Sequence, residues 1–194
     1  MQLTLFKPKF SIFTFTLMWS FATLISFLLS LCLIEIGEEP DVGILAAAVG
    51  GLAIALPQSY ILRQTIFPLG WILSTVLGWV LITVIGVGAV GWYVLSTELL
   101  HLRILFAIIS GAVGGLMIGI AQWWLAIPSS VNWGWCWMFL SAASWAVALP
   151  VGSVTGMFLR RFTGLFLGEV VGLVIAWLIV GILTGITAYK LFRK

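Results

Sequence analysis

Few side chains in this sequence have the chemistry to act as catalysts or metal ligands. Its 194 residues include one histidine, His101, and six acidic residues, of which only Glu169 falls inside a long apolar segment. Neither a Ser/His/Asp triad, a Cys/His pair nor a cluster of carboxylates can be assembled from this set. Cys32 and Cys136 fall near opposite ends of apolar segments and form no metal-ligand pattern. We therefore expect no catalytic residues, no metal site and no enzymatic activity.

Glu169 and His101 each allow two interpretations. An ionisable residue within a membrane segment is by default a functional hypothesis. The alternative for Glu169 is an ion pair with Arg160 or Arg161 across a short connection. His101 is predicted in a loop, either as an axial ligand for a pigment or as a solvated side chain.

Two glutamines end a repeated stretch. Residues 48–58 read AVGGLAIALPQ and residues 112–122 read AVGGLMIGIAQ, with seven of eleven positions identical. An amide facing lipid is costly, so Gln58 and Gln122 should find partners inside a helix bundle. One interpretation is an interhelical hydrogen bond or a helix cap. The other is a contact with a polar head group or a pigment metal in a shallow vestibule.

Small residues recur every four positions before each glutamine. They are Gly43, Ala47, Gly51 and Ala55 in the first copy and Ala107, Gly111, Gly115 and Gly119 in the second. Such stripes allow close helix packing in lipid, and the shared register favours duplication over chance. Gly181 and Gly185 begin a fainter third copy, in which Ala188 stands in place of the glutamine.

Composition identifies the elements that must carry these residues. The chain is 62% hydrophobic and 8% charged, against about 25% charged residues in soluble domains. Each of six apolar runs is long enough to span a hydrocarbon core as a helix. The sequence predicts an all-α integral membrane protein with one membrane domain over residues 1–194, built from tandem two-helix repeats in parallel orientation. The predicted spans are 10–34, 42–60, 70–95, 104–126, 133–158 and 164–189.

The basic residues predict the orientation. With six spans both termini lie on one side, which carries Lys7, Lys9, Arg63, Lys190, Arg193 and Lys194; the other side carries Arg103, Arg160 and Arg161. The positive-inside rule puts the termini in the cytoplasm or the stroma, at an inner (plasma) or thylakoid membrane. A formal net charge of +3 gives no reason to expect nucleic acid as a partner.

Eleven tryptophans are many for this length. We expect an interfacial belt formed by Trp71, Trp123, Trp124, Trp133 and Trp135. Trp79, Trp145 and Trp177 lie deeper, either packed in the core or lining a pocket for a flat ligand such as a carotenoid or tetrapyrrole. Trp19 is predicted to correspond to Trp79 and Trp145 in the odd-numbered spans, and Trp71 to Trp135.

The unit G-x-x-x-G-x-x-Q, followed by aromatic and aliphatic residues and later by Gly/Ser-Trp, resembles a repeat in uncharacterised polytopic membrane proteins of cyanobacteria and related phototrophs. The resemblance covers residues 43–145. Its carriers are Gly51, Ala55 and Gln58 with Ile61, Leu62 and Arg63, and Gly115, Gly119 and Gln122 with Trp123. It implies a phototroph membrane setting and no mechanism.

Two functions follow as expectations. The first is a non-catalytic accessory or assembly subunit of a larger, photosynthetic membrane complex, in contact with lipids, other membrane subunits and chlorophyll or carotenoid. The alternative is a small-molecule carrier, or the membrane-embedded substrate-binding component of a transporter. The few polar groups in the predicted core count against a carrier of hydrophilic substrates.

Overall fold

The computed structural model describes residues 11–38 and 42–192, and within them the chain forms six α-helices and no β-strand. Five of these helices are long and apolar enough to cross a membrane, whereas α3 has only 17 residues. The expected all-α, six-helix class is confirmed. The helices are α1 (Ile12–Ser30), α2 (Ile44–Leu62), α3 (Pro68–Val84), α4 (Leu100–Leu125), α5 (Cys136–Thr163) and α6 (Leu167–Phe192).

The helices form a closed ring. Each helix packs against its neighbours in the sequence, and α6 closes the ring by packing against α1. Outward-facing positions are mostly large apolar side chains, as in a protein surrounded by hydrocarbon. Large aromatic side chains, four of them tryptophans in one cluster, fill the space enclosed by the ring.

The small-residue stripes lie where an even-numbered helix meets the next odd-numbered one, with α1 following α6 around the ring. Gly43 is the exception, because nothing lies within 4 Å of a Cβ atom added there. A Cβ atom added to Gly51 of α2 would lie 2.7 Å from the ring of Trp79 on α3. On α4, a Cβ atom at Gly111 would lie 2.5 Å from the carbonyl oxygen of Trp145. Close backbone approach of this kind supplies the van der Waals contact that holds helices together in lipid. Ala55, Gly115, Gly119, Gly181 and Gly185 occupy the same kind of interface, Ala55 being fully buried and each glycine lying against the neighbouring helix.

The third helix is shorter than predicted. The sequence predicted a span over residues 70–95, but α3 ends at Val84. Gly86, Gly88 and Gly91 then adopt positive φ angles of 82°, 80° and 95°, which L-residues with a side chain rarely adopt. The apolar run therefore continues as a loop, residues 85–99, which we call the α3–α4 loop.

The α3–α4 loop folds into one end of the ring. Trp92 is fully buried and its Nε1 donates a hydrogen bond to Ser30 Oγ at 2.7 Å. The backbone carbonyl of Gly91 accepts a hydrogen bond of 3.0 Å from Trp177 Nε1 of α6. Because these residues are buried and apolar, hydropathy alone did not distinguish them from a continuation of the helix.

Two helix boundaries change the setting of predicted residues. Helix α4 begins at Leu100 and not at residue 104, so His101 lies in the first helical turn and not in a loop. Helix α5 continues to Thr163, which places Arg160 and Arg161 in its last turn, where cations are favoured by the helix dipole. Gly164 ends this helix with a φ of 71°.

Candidate functional site

Gln58 joins three helices at the centre of the ring. Its Nε2 donates to Thr23 Oγ1 of α1 at 3.0 Å, and its Oε1 accepts from Trp71 Nε1 of α3 at 3.3 Å. All three side chains are buried. The prediction that Trp71 lies in an interfacial belt is therefore wrong, because its indole N–H is used inside the bundle.

Gln122 repeats this arrangement one unit further along the chain. Its Nε2 donates to Thr75 Oγ1 of α3 at 2.8 Å, and its Oε1 accepts from Trp137 Nε1 of α5 at 2.7 Å. Each amide thus donates to a threonine of the preceding helix and accepts from a tryptophan of the following helix. Both predicted glutamines bind neighbouring helices of their own chain.

The corresponding position in α6 differs, because Ala188 has no amide. Trp19 Nε1 of α1 instead donates to Thr184 Oγ1, one turn earlier in α6, at 3.0 Å. Ser141 of α5 is the counterpart of Thr23 and Thr75, and it is buried beside the cavity that both glutamines border. Two of the three repeat units therefore contact their neighbours through a glutamine, and the third does so through a single Trp–Thr hydrogen bond.

The partners of the glutamines form a pattern that the sequence reasoning missed. A tryptophan precedes a hydroxyl residue by four positions in each odd-numbered helix: Trp19 and Thr23, Trp71 and Thr75, Trp137 and Ser141. By hydrogen bonding, Trp19 corresponds to Trp71 and Trp137. The expected correspondences of Trp19 with Trp79 and of Trp71 with Trp135 are therefore wrong. The W-x-x-x-T/S spacing was visible in the sequence, but the tryptophans that correspond to one another could not be chosen without the hydrogen-bond partners of the glutamines.

A small cavity of about 40 Å³ lies between these polar groups, bordered by both glutamines, Ser141 and Thr184. It has room for about two water molecules, since one needs roughly 15 Å³ by this measure. Ligand pockets for metabolites or drugs are roughly 300–1,000 Å³. In this conformation the centre of the ring is too small for a molecule of that class.

Trp79, Trp145 and Trp177 meet in the core, as the deeper location predicted, and are joined by Trp92 of the α3–α4 loop. Ring centroids lie 4.7 Å apart for Trp79 and Trp92, 4.9 Å for Trp92 and Trp177, and 4.9 Å for Trp145 and Trp177. These pairs have the edge-to-face geometry that aromatic rings prefer. The four indoles occupy one another's faces, so the cluster leaves no slot for a flat ligand between them.

Glu169 forms a buried ion pair, though not with the predicted partner. Its Oε2 lies 2.5 Å from Arg103 Nη2, and the two side chains are 2% and 1% exposed. Arg103 Nε also donates to Ser153 Oγ at 2.7 Å, so the pair joins α4, α5 and α6. The expected pairing with Arg160 or Arg161 is wrong: Arg160 binds Glu38, and Arg161 binds Glu98 at 3.0 Å. The sequence placed Arg103 outside the span because α4 was predicted to begin after it.

The remaining candidates lie apart from this polar centre. His101 is exposed at the start of α4, and both Cys32 and Cys136 are free thiols. Within residues 11–38 and 42–192, no group of three His, Cys, Asp or Glu side chains is placed to hold a metal ion.

Comparison of the chain with protein-family models, with curated proteins and with solved structures finds no match.

Proposed function

We propose that this protein is a non-catalytic accessory or assembly subunit of a larger membrane complex. The observation that carries the proposal is that the polar groups at the centre of the ring bind one another. Both glutamines, their tryptophan partners and the Arg103–Glu169 pair are bound within the chain. A protein whose interior is occupied in this way acts on other molecules through its outer surface.

We further propose that the ring is inserted in a membrane with both termini on the cytoplasmic or stromal side. The equivalent contacts of Gln58 and Gln122 support three tandem two-helix units in parallel orientation, the third having lost its glutamine. This arrangement gives the molecule three related outer faces for lipids and partner subunits.

A carrier function, the alternative from the sequence, has weaker support. The cavity between the glutamines is about 40 Å³, roughly an order of magnitude below a metabolite pocket. Transport would require the tryptophan cluster to separate and the α3–α4 loop to leave the ring. A chlorophyll or carotenoid, expected from the resemblance to phototroph proteins, would bind outside the ring, where His101 is exposed.

The decisive experiment is gentle solubilisation of the native membrane, followed by size separation, mass spectrometry of partners and an absorption spectrum. We expect the protein to migrate in a complex well above 21.2 kDa with defined partner subunits. Migration as an isolated chain would contradict the proposal. In reconstituted liposomes, uptake of a small molecule that is lost in Gln122→Leu but kept in Gln64→Leu would instead establish the carrier function.

A further inference from the structure

The outer faces of α1 and α6 enclose a groove of about 660 Å³. Its walls are mostly hydrocarbon side chains, and Thr16 and Ser20 are the polar residues that border it. The hydrocarbon walls are Phe13, Leu17 and Phe21 from α1, and Leu178, Ile182 and Ile186 from α6. The hydroxyl of Ser20, which also borders it, donates to the carbonyl oxygen of Thr16 at 2.8 Å. The groove therefore offers mainly apolar contact, and its one hydroxyl without a hydrogen-bond partner among the described residues is that of Thr16.

The length of the groove matches one leaflet of a bilayer. On α1 it runs from Ile12 to Leu24, which is about 18 Å at the rise of an α-helix. Half of a hydrocarbon core is about 15 Å thick. The groove begins at the first turn of α1 and at the last turns of α6, and it ends near the middle of both helices. An acyl chain of one leaflet would fill it along its length.

The end of the groove at the membrane surface is basic. Leu178, Ile182 and Ile186 are spaced by four residues, and the next position on the same face of α6 is Lys190, which is exposed. In the sequence, Lys7 and Lys9 come just before α1, and Arg193 and Lys194 come just after α6. No acidic residue of the sequence precedes α1 or follows α6. The N-terminus of α1 adds a favourable helix dipole for an anion.

We propose that this groove is a binding site for an anionic phospholipid, with one acyl chain between α1 and α6 and the phosphate beside Lys190. Basic clusters at the membrane surface attract anionic head groups, and each lysine or arginine contributes about fivefold in affinity. This proposal does not rest on the accessory function, because lipid binding can be measured on the isolated chain.

Native mass spectrometry of the full chain, released from micelles containing equal phosphatidylglycerol and phosphatidylcholine, tests the proposal. We expect one phosphatidylglycerol to remain bound preferentially. Lys190→Gln should reduce that preference about fivefold, and Lys190→Arg should keep it. Arg63→Gln, at the end of α2, is the matched control and should leave the preference unchanged.

A second variant tests the groove itself. Ile182→Trp fills the groove from its lipid-facing wall and should abolish lipid retention, whereas Leu105→Trp, on the outer face of α4, should not. Equal retention of both lipids would overturn the proposal, as would unchanged retention in Ile182→Trp. A lipid-free dimer that Ile182→Trp dissociates would show that a second copy of the chain occupies the groove.

Discussion

At the scale of single residues, the buried amides act as connectors between helices. A glutamine carries an acceptor oxygen and a donor NH₂ on the same planar group, so it can bind a tryptophan N–H and a threonine oxygen at once. In hydrocarbon each of these groups would otherwise be left without a partner, at an energetic cost. This is why a polar side chain is stabilising at a position surrounded by indoles.

Replacing Gln122 by leucine should destabilise the protein by about 1 kcal/mol, because Trp137 Nε1 and Thr75 Oγ1 lose their partners. Thermal unfolding in detergent measures the effect. Gln58→Leu should behave alike, and Gln64→Leu, at an exposed position, should be neutral. A Gln122→Leu variant as stable as the parent would contradict the connecting role.

Tyr93 of the α3–α4 loop makes stability sensitive to alkaline pH. Burial raises the pKa of its hydroxyl above the usual value of 10.0, and a hydrogen bond with Ser110 only partly offsets this. Because the folded-state pKa is the higher one, the stabilising contribution is complete below about pH 10 and disappears as pH rises through the folded pKa.

We therefore expect the melting temperature of the parent to fall more steeply than that of Tyr93→Phe between about pH 9 and about pH 12. This range brackets the pKa of about 10 of an ordinary tyrosine. Position 93 cannot ionise in Tyr93→Phe, whereas every other group still titrates at alkaline pH. This variant therefore serves as the control for the loss of stability that Tyr93 does not cause. Parallel curves for the two proteins would show that Tyr93 does not ionise with a raised pKa.

At the scale of helices, the small-residue stripes set the distances within the ring. Adding a methyl group at Gly111 would bring Cβ to 2.5 Å from the carbonyl oxygen of Trp145, so α4 and α5 would have to separate. We expect Gly111→Ala to destabilise the protein by about 1–3 kcal/mol, as overpacking does. Gly43→Ser adds atoms into open space at the N-cap of α2 and should be neutral or slightly stabilising. Equal unfolding temperatures for the two variants would refute the distinction.

Removing one partner of the buried ion pair should cost more than removing one partner of an exposed pair. Arg103→Met leaves Glu169 buried without its cation and should cost about 3–5 kcal/mol, while the double variant Arg103→Met/Glu169→Leu should recover most of this. Arg161→Met removes the exposed pair with Glu98 and should cost about 0–1 kcal/mol. The test is the free energy of unfolding of the parent and the three variants. A double variant no more stable than Arg103→Met would argue against an uncompensated charge as the cause of the loss.

Hydropathy and spacing predicted the helices well but not their ends or partners. The stripes before Gln58 and Gln122 identified a packing face, because a period of four residues is a local property of the sequence. The pairing of Glu169 with Arg103 was missed because it depends on how α4 and α6 approach each other across the ring. Similarly, residues 85–95 are as apolar as a span, and only the glycines with positive φ distinguish them.

At the scale of the whole molecule, the proposed topology places the two cysteines on opposite sides of the membrane. Cys32 follows α1 and is exposed, whereas Cys136 begins α5. In sealed right-side-out vesicles, a membrane-impermeant maleimide should label Cys136→Ser, which retains Cys32, and not Cys32→Ser. Inverted vesicles should give the opposite result, more slowly because Cys136 is half-buried. Labelling of Cys32→Ser in right-side-out vesicles would reverse the orientation.

The closure of the ring by α6 also has a consequence for synthesis of the chain. The indole N–H of Trp19, the backbone carbonyl of Gly91 and the guanidinium of Arg103 all find partners on α6, which follows the other five helices along the chain. Until α6 is made, Trp19 Nε1 and the Gly91 carbonyl lack these partners, and the Arg103 guanidinium keeps only its hydrogen bond to Ser153. A product truncated before α6 would keep them exposed, which marks it as incomplete for chaperones and proteases of the membrane.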